Sequence, residues 1–112
     1  MPRFLISFDD GAMSIAEDEW SDVSEAAHAV VRAAQEAGVW IFGGGVASQR
    51  ASIVATDGTV TEGPYPETKA VVGGFSIIDV PSRDQALEWS ARFAVACRCP
   101  QELREIMFDP DV

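Results

Sequence analysis

Apolar residues in this chain switch between a period of two and a period of three to four, and the order of the switches admits few folds. Residues 2–8 alternate, with Phe4, Ile6 and Phe8 on one face and Leu5 and Ser7 on the other, which predicts a strand. Asp9, Asp10 and Gly11 then supply turn chemistry. Over residues 15–37 the apolar positions Trp20, Val23, Ala27, Val30, Ala34 and Ala37 recur every three or four residues, which predicts a helix. Ser14 with Glu17 matches a capping box, and Glu17, Asp18, Glu19 and Asp22 suit the positive end of the helix dipole. Gly38 suits the stop. Residues 39–46 read as a second strand and residues 52–61 as a hairpin turning at Asp57-Gly58. A turn-rich stretch, 62–69, precedes a strand over 73–80. Ser82 with Gln85 caps a second helix, Val80 can pack onto Ala86, and Pro100 ends that helix. Its expected buried face is Ala86, Leu87, Ser90, Phe93, Ala94 and Cys97, and residues 101–108 form a last strand.

The order is β-α-β-hairpin-β-α-β: an α+β, ferredoxin-like βαββαβ fold with an added β-hairpin. At 112 residues, 1–112 reads as a single domain. In such a sheet both helices cover one face. The first two strands nevertheless carry large apolar residues on both faces: Leu5 opposite Phe4, Ile6 and Phe8, and Trp40 and Phe42 opposite Val39 and Ile41. Strands apolar on both sides need cover on both sides, which points to a homodimer packed sheet on sheet.

Asp and Glu number 18 and Lys and Arg 8, so 8 − 18 gives a net charge of −10. This excess argues against phosphate-directed binding of nucleic acid and against anionic membrane surfaces. No apolar run approaches the ~20 residues of a membrane span, and the N-terminus lacks the basic and apolar regions of a signal peptide. Two cysteines in a chain able to build its own core suggest a reducing, cytoplasmic setting.

The stretch from Asp57 to Lys69 (DGTVTEGPYPETK), followed by Gly73-Gly74-Phe75, resembles the signature of the DGPF group of YCII-related proteins. Ala86-Leu87-Glu88-Trp89 and, upstream, His28 and Ala37-Gly38 extend the resemblance over most of the chain. Glu62 and Tyr65 stand where the group has Asp and Phe. The resemblance implies a dimeric α+β barrel with a ligand cleft between helices and sheet. Its superfamily includes small-molecule isomerases, monooxygenases and dehalogenating enzymes. Many group members occur beside extracytoplasmic-function sigma factors, which implies a regulatory alternative. Some relatives pair the first-helix histidine with a downstream Asp, but Ala91–Ala96 contains no acid.

His28, the only histidine, is the candidate general base or acid. It falls on the flank of the helix's apolar stripe, a place for lining a cleft or for filling a boundary. Candidate ligand contacts are Asp9, Trp40 and Tyr65. Asp9 can equally be turn chemistry, Trp40 core, and Tyr65, like Lys69, an interface group. The run Gly43–Gly45 is followed by a hairpin instead of a helix, so it suits a bend or a close approach to a ligand better than a phosphate cradle. Cys97-Arg98-Cys99 with one distant histidine falls short of a zinc ligand set, so neither a metal nor a cofactor is expected.

Overall fold

A computed structural model describes residues 1–47, 49–62 and 72–112. Strand β1 spans Arg3–Asp9, helix α1 Trp20–Glu36, β2 Trp40–Gly45, β3 Ser52–Val54, β4 Val60–Glu62, β5 Val72–Asp79, α2 Arg83–Cys97 and β6 Glu102–Glu105. The main sheet is antiparallel with order β2-β5-β1-β6, and β3 pairs with β4 as a separate hairpin. With the hairpin set aside, this is the split βαβ arrangement expected of a ferredoxin-like α+β fold. Among the described residues, no helix is long and apolar enough to cross a membrane.

Both helices pack on one face of the sheet. Phe4, Ile6, Ile78, Val80, Ala86 and Phe93 form the core, with Val30, Val31, Val39, Trp40, Trp89 and Leu103 packed against it. Each large apolar side chain buried in this way contributes on the order of 1.5–3 kcal/mol. The alternation of β1 is as expected, because Phe4 and Ile6 face the helices and Leu5 faces away. Helix α2 begins where its chemistry says: Ser82 Oγ accepts the Gln85 N–H at 3.2 Å. It ends with Arg98 in the left-handed conformation (φ 56°).

Several expectations need correction. Helix α1 begins at Trp20, not near residue 15. Ala16 is extended (ψ 145°), and Glu17–Glu19 form one 3₁₀ turn without any side-chain cap. Ser14 therefore caps nothing. Trp20, at the first position of α1, is 47% exposed instead of buried. On α2, Leu87 is exposed instead of buried, and Ala96, outside the expected buried set, is buried. The last strand stops at Glu105, leaving Met107 and Phe108 outside it. The hairpin closes on Ala55 and Thr59, so Asp57-Gly58 belongs to a three-residue loop whose last residue, Gly58, takes φ 87°.

The consequential difference lies in β2. Trp40 stands opposite Ile78, but Phe42 stands opposite Ile77, so one extra residue is inserted at Ile41. A one-residue bulge flips every later side chain to the other face. Trp40 consequently turns inward towards Phe93, ring centroids 6.2 Å apart, while Phe42 turns outward against Phe75 at 5.9 Å. The outer face then presents Leu5, Phe42, Phe75 and Ile77.

Candidate functional site

Strand register explains where a cavity opens. On the helix-facing side, one row across the sheet reads Phe4, Ile78 and Trp40, all large. The next row reads Leu103, Ile6, Ser76 and Gly43, and the row beyond it Phe8, Gly74 and Gly45. Side chains thus shrink toward one end of β2 and β5. Two rings lean over the space so created. A Cβ on Gly43 would lie 2.8 Å from Trp40 Cη2, and one on Gly74 would lie 2.7 Å from Phe8 Cζ. Gly45 is different, since a Cβ there would meet only Gly73 O, at 3.9 Å.

Between this depression and the helices lies a cavity of about 330 Å³. That is the small end of the ~300–1,000 Å³ range of ligand sites. Phe8, Met13, Trp40 and Phe93 give it apolar walls, and His28, Ser76, Cys97 and Gln101 bring polar atoms. His28 is exposed on α1 and lines this cavity, so it stands at the mouth. Its Nδ1 lies 2.6 Å from the carbonyl oxygen of Ser24, one turn back, and 3.3 Å from Ser24 Oγ. A carbonyl only accepts, so Nδ1 carries the proton and donates it. In the neutral ring Nε2 then keeps its lone pair. This backbone oxygen holds the tautomer that an acidic partner would otherwise hold.

Gln101 donates from Nε2 to Cys99 O and Cys99 Sγ, both at 3.4 Å. Cys97 and Cys99 are free and buried. Burial pushes both thiols up, and the neighbouring Cys99 adds to the rise at Cys97, so both stay protonated near neutral pH. Among the described residues, no three of His, Cys, Asp and Glu gather in a group able to hold a metal.

The predicted site residues part company here. His28 and Trp40 come together on the cavity. Asp9 does not: it is exposed at the end of β1, beyond a register shift after Phe8, and is not among the lining residues. Phe8 takes the place beside the cavity. Tyr65 and Lys69 lie outside the described residues. The glycine run forms no bend; it is strand, with Gly43 making room for Trp40 and Gly45 left bare. Phe8, Ser76, Phe93, Cys97 and Gln101 were not foreseen as site residues. The available signal was glycine in two strands, Gly43–Gly45 and Gly73–Gly74, where side chains ought to pack.

A family model, the YCII-related domain, matches residues 3–106. The chain belongs to the YCII-related domain family. Among curated proteins none matches it. A second concavity of this YCII-related domain, about 640 Å³, runs between α1 and α2 on the outer side of the helix layer. It is larger but more open, and Ala26, Ala29, Ala91 and Val95 line it between Asp22 and Arg92. Neither histidine nor cysteine lines it, so the smaller cavity is the better candidate for chemistry.

Proposed function

We propose that this YCII-related protein binds a small molecule in the cavity beside His28, with Nε2 of the imidazole as the group that accepts a proton or hydrogen bond from it. One observation carries the reading: the sole histidine lines an apolar cavity while its Nδ1 is fixed on Ser24 O at 2.6 Å. Fixing one nitrogen prepares the other for acid–base work. Binding comes first, and proton chemistry is the step built on it. A metabolite-binding screen on wild type and His28→Ala tests both. The expected result is at least one ligand whose affinity falls on substitution. If every ligand binds both proteins equally, His28 is a boundary residue and the reading fails.

The same protein is proposed to work as a homodimer. Leu5, Phe75 and Ile77 are only half-buried on the sheet's outer face, and Phe42 is 61% exposed there. Covering such a face is what an obligate interface above roughly 2,000 Å² does. A monomer in sedimentation at micromolar concentration overturns this part. The two free, buried thiols suit a reducing, cytoplasmic setting.

A second reading rests on the groove between the helices. Val95 is 81% exposed along it, and Leu87 lies nearby in the same helix, also exposed. An exposed apolar ridge of this kind suits a protein partner, and an extracytoplasmic-function sigma factor is the candidate. Val95→Asp weakening co-purification with such a factor, with the His28 cavity unaffected, would favour this reading over the first.

A further inference from the structure

The ligand class follows from the shape of the cavity floor, if the cavity binds a small molecule as proposed above. Trp40 lies over Gly43, and Phe8 lies over Gly73 and Gly74, close enough that a methyl group at any of these positions would collide with a ring. These glycines are explained by the rings. Gly45 is not, because nothing but Gly73 O approaches the place of its missing Cβ, and only at 3.9 Å. It leaves a patch of bare, pleated backbone between two aromatic side chains. Neighbouring strands are ~4.8 Å apart, and residues two apart along a strand ~6.6 Å. Gly74, under the Phe8 ring, and Gly43, under the Trp40 ring, both adjoin Gly45 and are therefore about 8 Å apart. Ala27, Val31 and Phe93, from the helices, close the cavity on its other side.

We infer that the ligand is a flat aromatic ring carrying one hydrogen-bond donor, seated on Gly45 between Phe8 and Trp40 and donating its N–H or O–H to Nε2 of His28. Aromatic rings pair with other rings edge to face or offset, and both walls offer such partners. A bare glycine floor admits a flat face that any Cβ would lift. The donor follows from the tautomer: with Nδ1–H bound to Ser24 O, Nε2 of the neutral ring can only accept. Gly45 is then the residue that sets which ligands fit, and His28 the one that orients them.

Indole and 1-methylindole test this directly, because they share a ring and differ in the N–H. Affinities are measured calorimetrically for wild type, His28→Ala and Gly45→Leu, with cyclohexanol as a saturated, non-planar comparison. Wild type should bind indole about fivefold to tenfold more tightly than 1-methylindole, the usual worth of one neutral hydrogen bond. His28→Ala should bring the two affinities together. Gly45→Leu should lose both ligands while unfolding no more easily than wild type, since its side chain fills space that is open. Equal binding of indole and 1-methylindole to wild type, or no binding of either, overturns the inference. So does indole binding unchanged in Gly45→Leu, or cyclohexanol binding as tightly as indole. In each of these cases the proposal of a small-molecule site still stands or falls on its own screen with His28→Ala.

Discussion

Gly43 and Gly45, two residues apart in β2, should respond very differently to the same added methyl group. Placing a Cβ on Gly43 sets it 2.5 Å from Phe75 O, 2.8 Å from Trp40 Cη2 and 2.9 Å from Ser76 Cα. Carbon atoms in contact sit at about 3.5–4.0 Å. Two of the three neighbours are backbone atoms of the adjacent strand, so relief requires parting β2 from β5 as well as moving the indole. Overpacking of this kind costs about 1–3 kcal/mol. Alanine regains roughly 0.5–1 kcal/mol over glycine through lower chain entropy in the unfolded state. The net loss for Gly43→Ala is thus about 1–2 kcal/mol, or roughly 5–10 °C in Tm for a domain of this size. Gly45→Ala meets nothing nearer than 3.9 Å and keeps only the favourable part, so its Tm should hold or rise by a few degrees. Calorimetry or urea unfolding of the two variants side by side is the assay. If Gly43→Ala is as stable as Gly45→Ala, the Trp40 ring does not lie on Gly43, and the construction of the cavity floor given above is wrong.

Other variants probe the frame around the site. Ser82→Ala removes the oxygen that accepts the Gln85 N–H and should lower stability by about 1 kcal/mol in urea unfolding, with the cavity unaffected. Phe93→Ala empties a side chain only 5% exposed that supports Trp40, and should cost about 3–4 kcal/mol. Burial, with Cys99 adding to it, raises the Cys97 thiol above its unfolded value, so the folded chain holds that proton more tightly. The resulting contribution is intact below the unfolded pKa of ~8.5 and disappears as pH climbs through the folded value. Wild type should accordingly lose stability as pH rises above about 8.5, and Cys97→Ala should lessen that fall in Tm.

Much of the frame was legible in the sequence because local chemistry and tertiary packing agree there. The alternation of β1, the Ser82 cap, the left-turning Gly38 and the element order all carry through to the fold. Helix α1 shows where they disagree. Ser14 and Glu17 have the right spacing for a cap, but Ala16 between them is extended, and the acidic residues that follow spend themselves on a 3₁₀ turn. The candidate site was less legible. Its floor depends on which strands are neighbours: Gly45 means little until it is seen in one row with Gly74 and Phe8. The inward turn of Trp40 depends on a bulge at Ile41, which a run of apolar residues does not reveal. His28 was found because there is only one histidine; its holding group, a backbone carbonyl, leaves no mark in the residue types.

That single histidine also allows the most direct test of the account. A long-range ¹H–¹⁵N NMR spectrum of the imidazole contains one ring, so its two nitrogens can be assigned and followed as a ligand from the binding screen is added. The structure predicts that the neutral ring carries its proton on Nδ1, donated to Ser24 O, and that the ligand shifts the Nε2 resonance most. A proton on Nε2 in the free protein, or an Nε2 resonance that stays put while a ligand saturates the cavity, would contradict the claim that His28 meets the bound molecule.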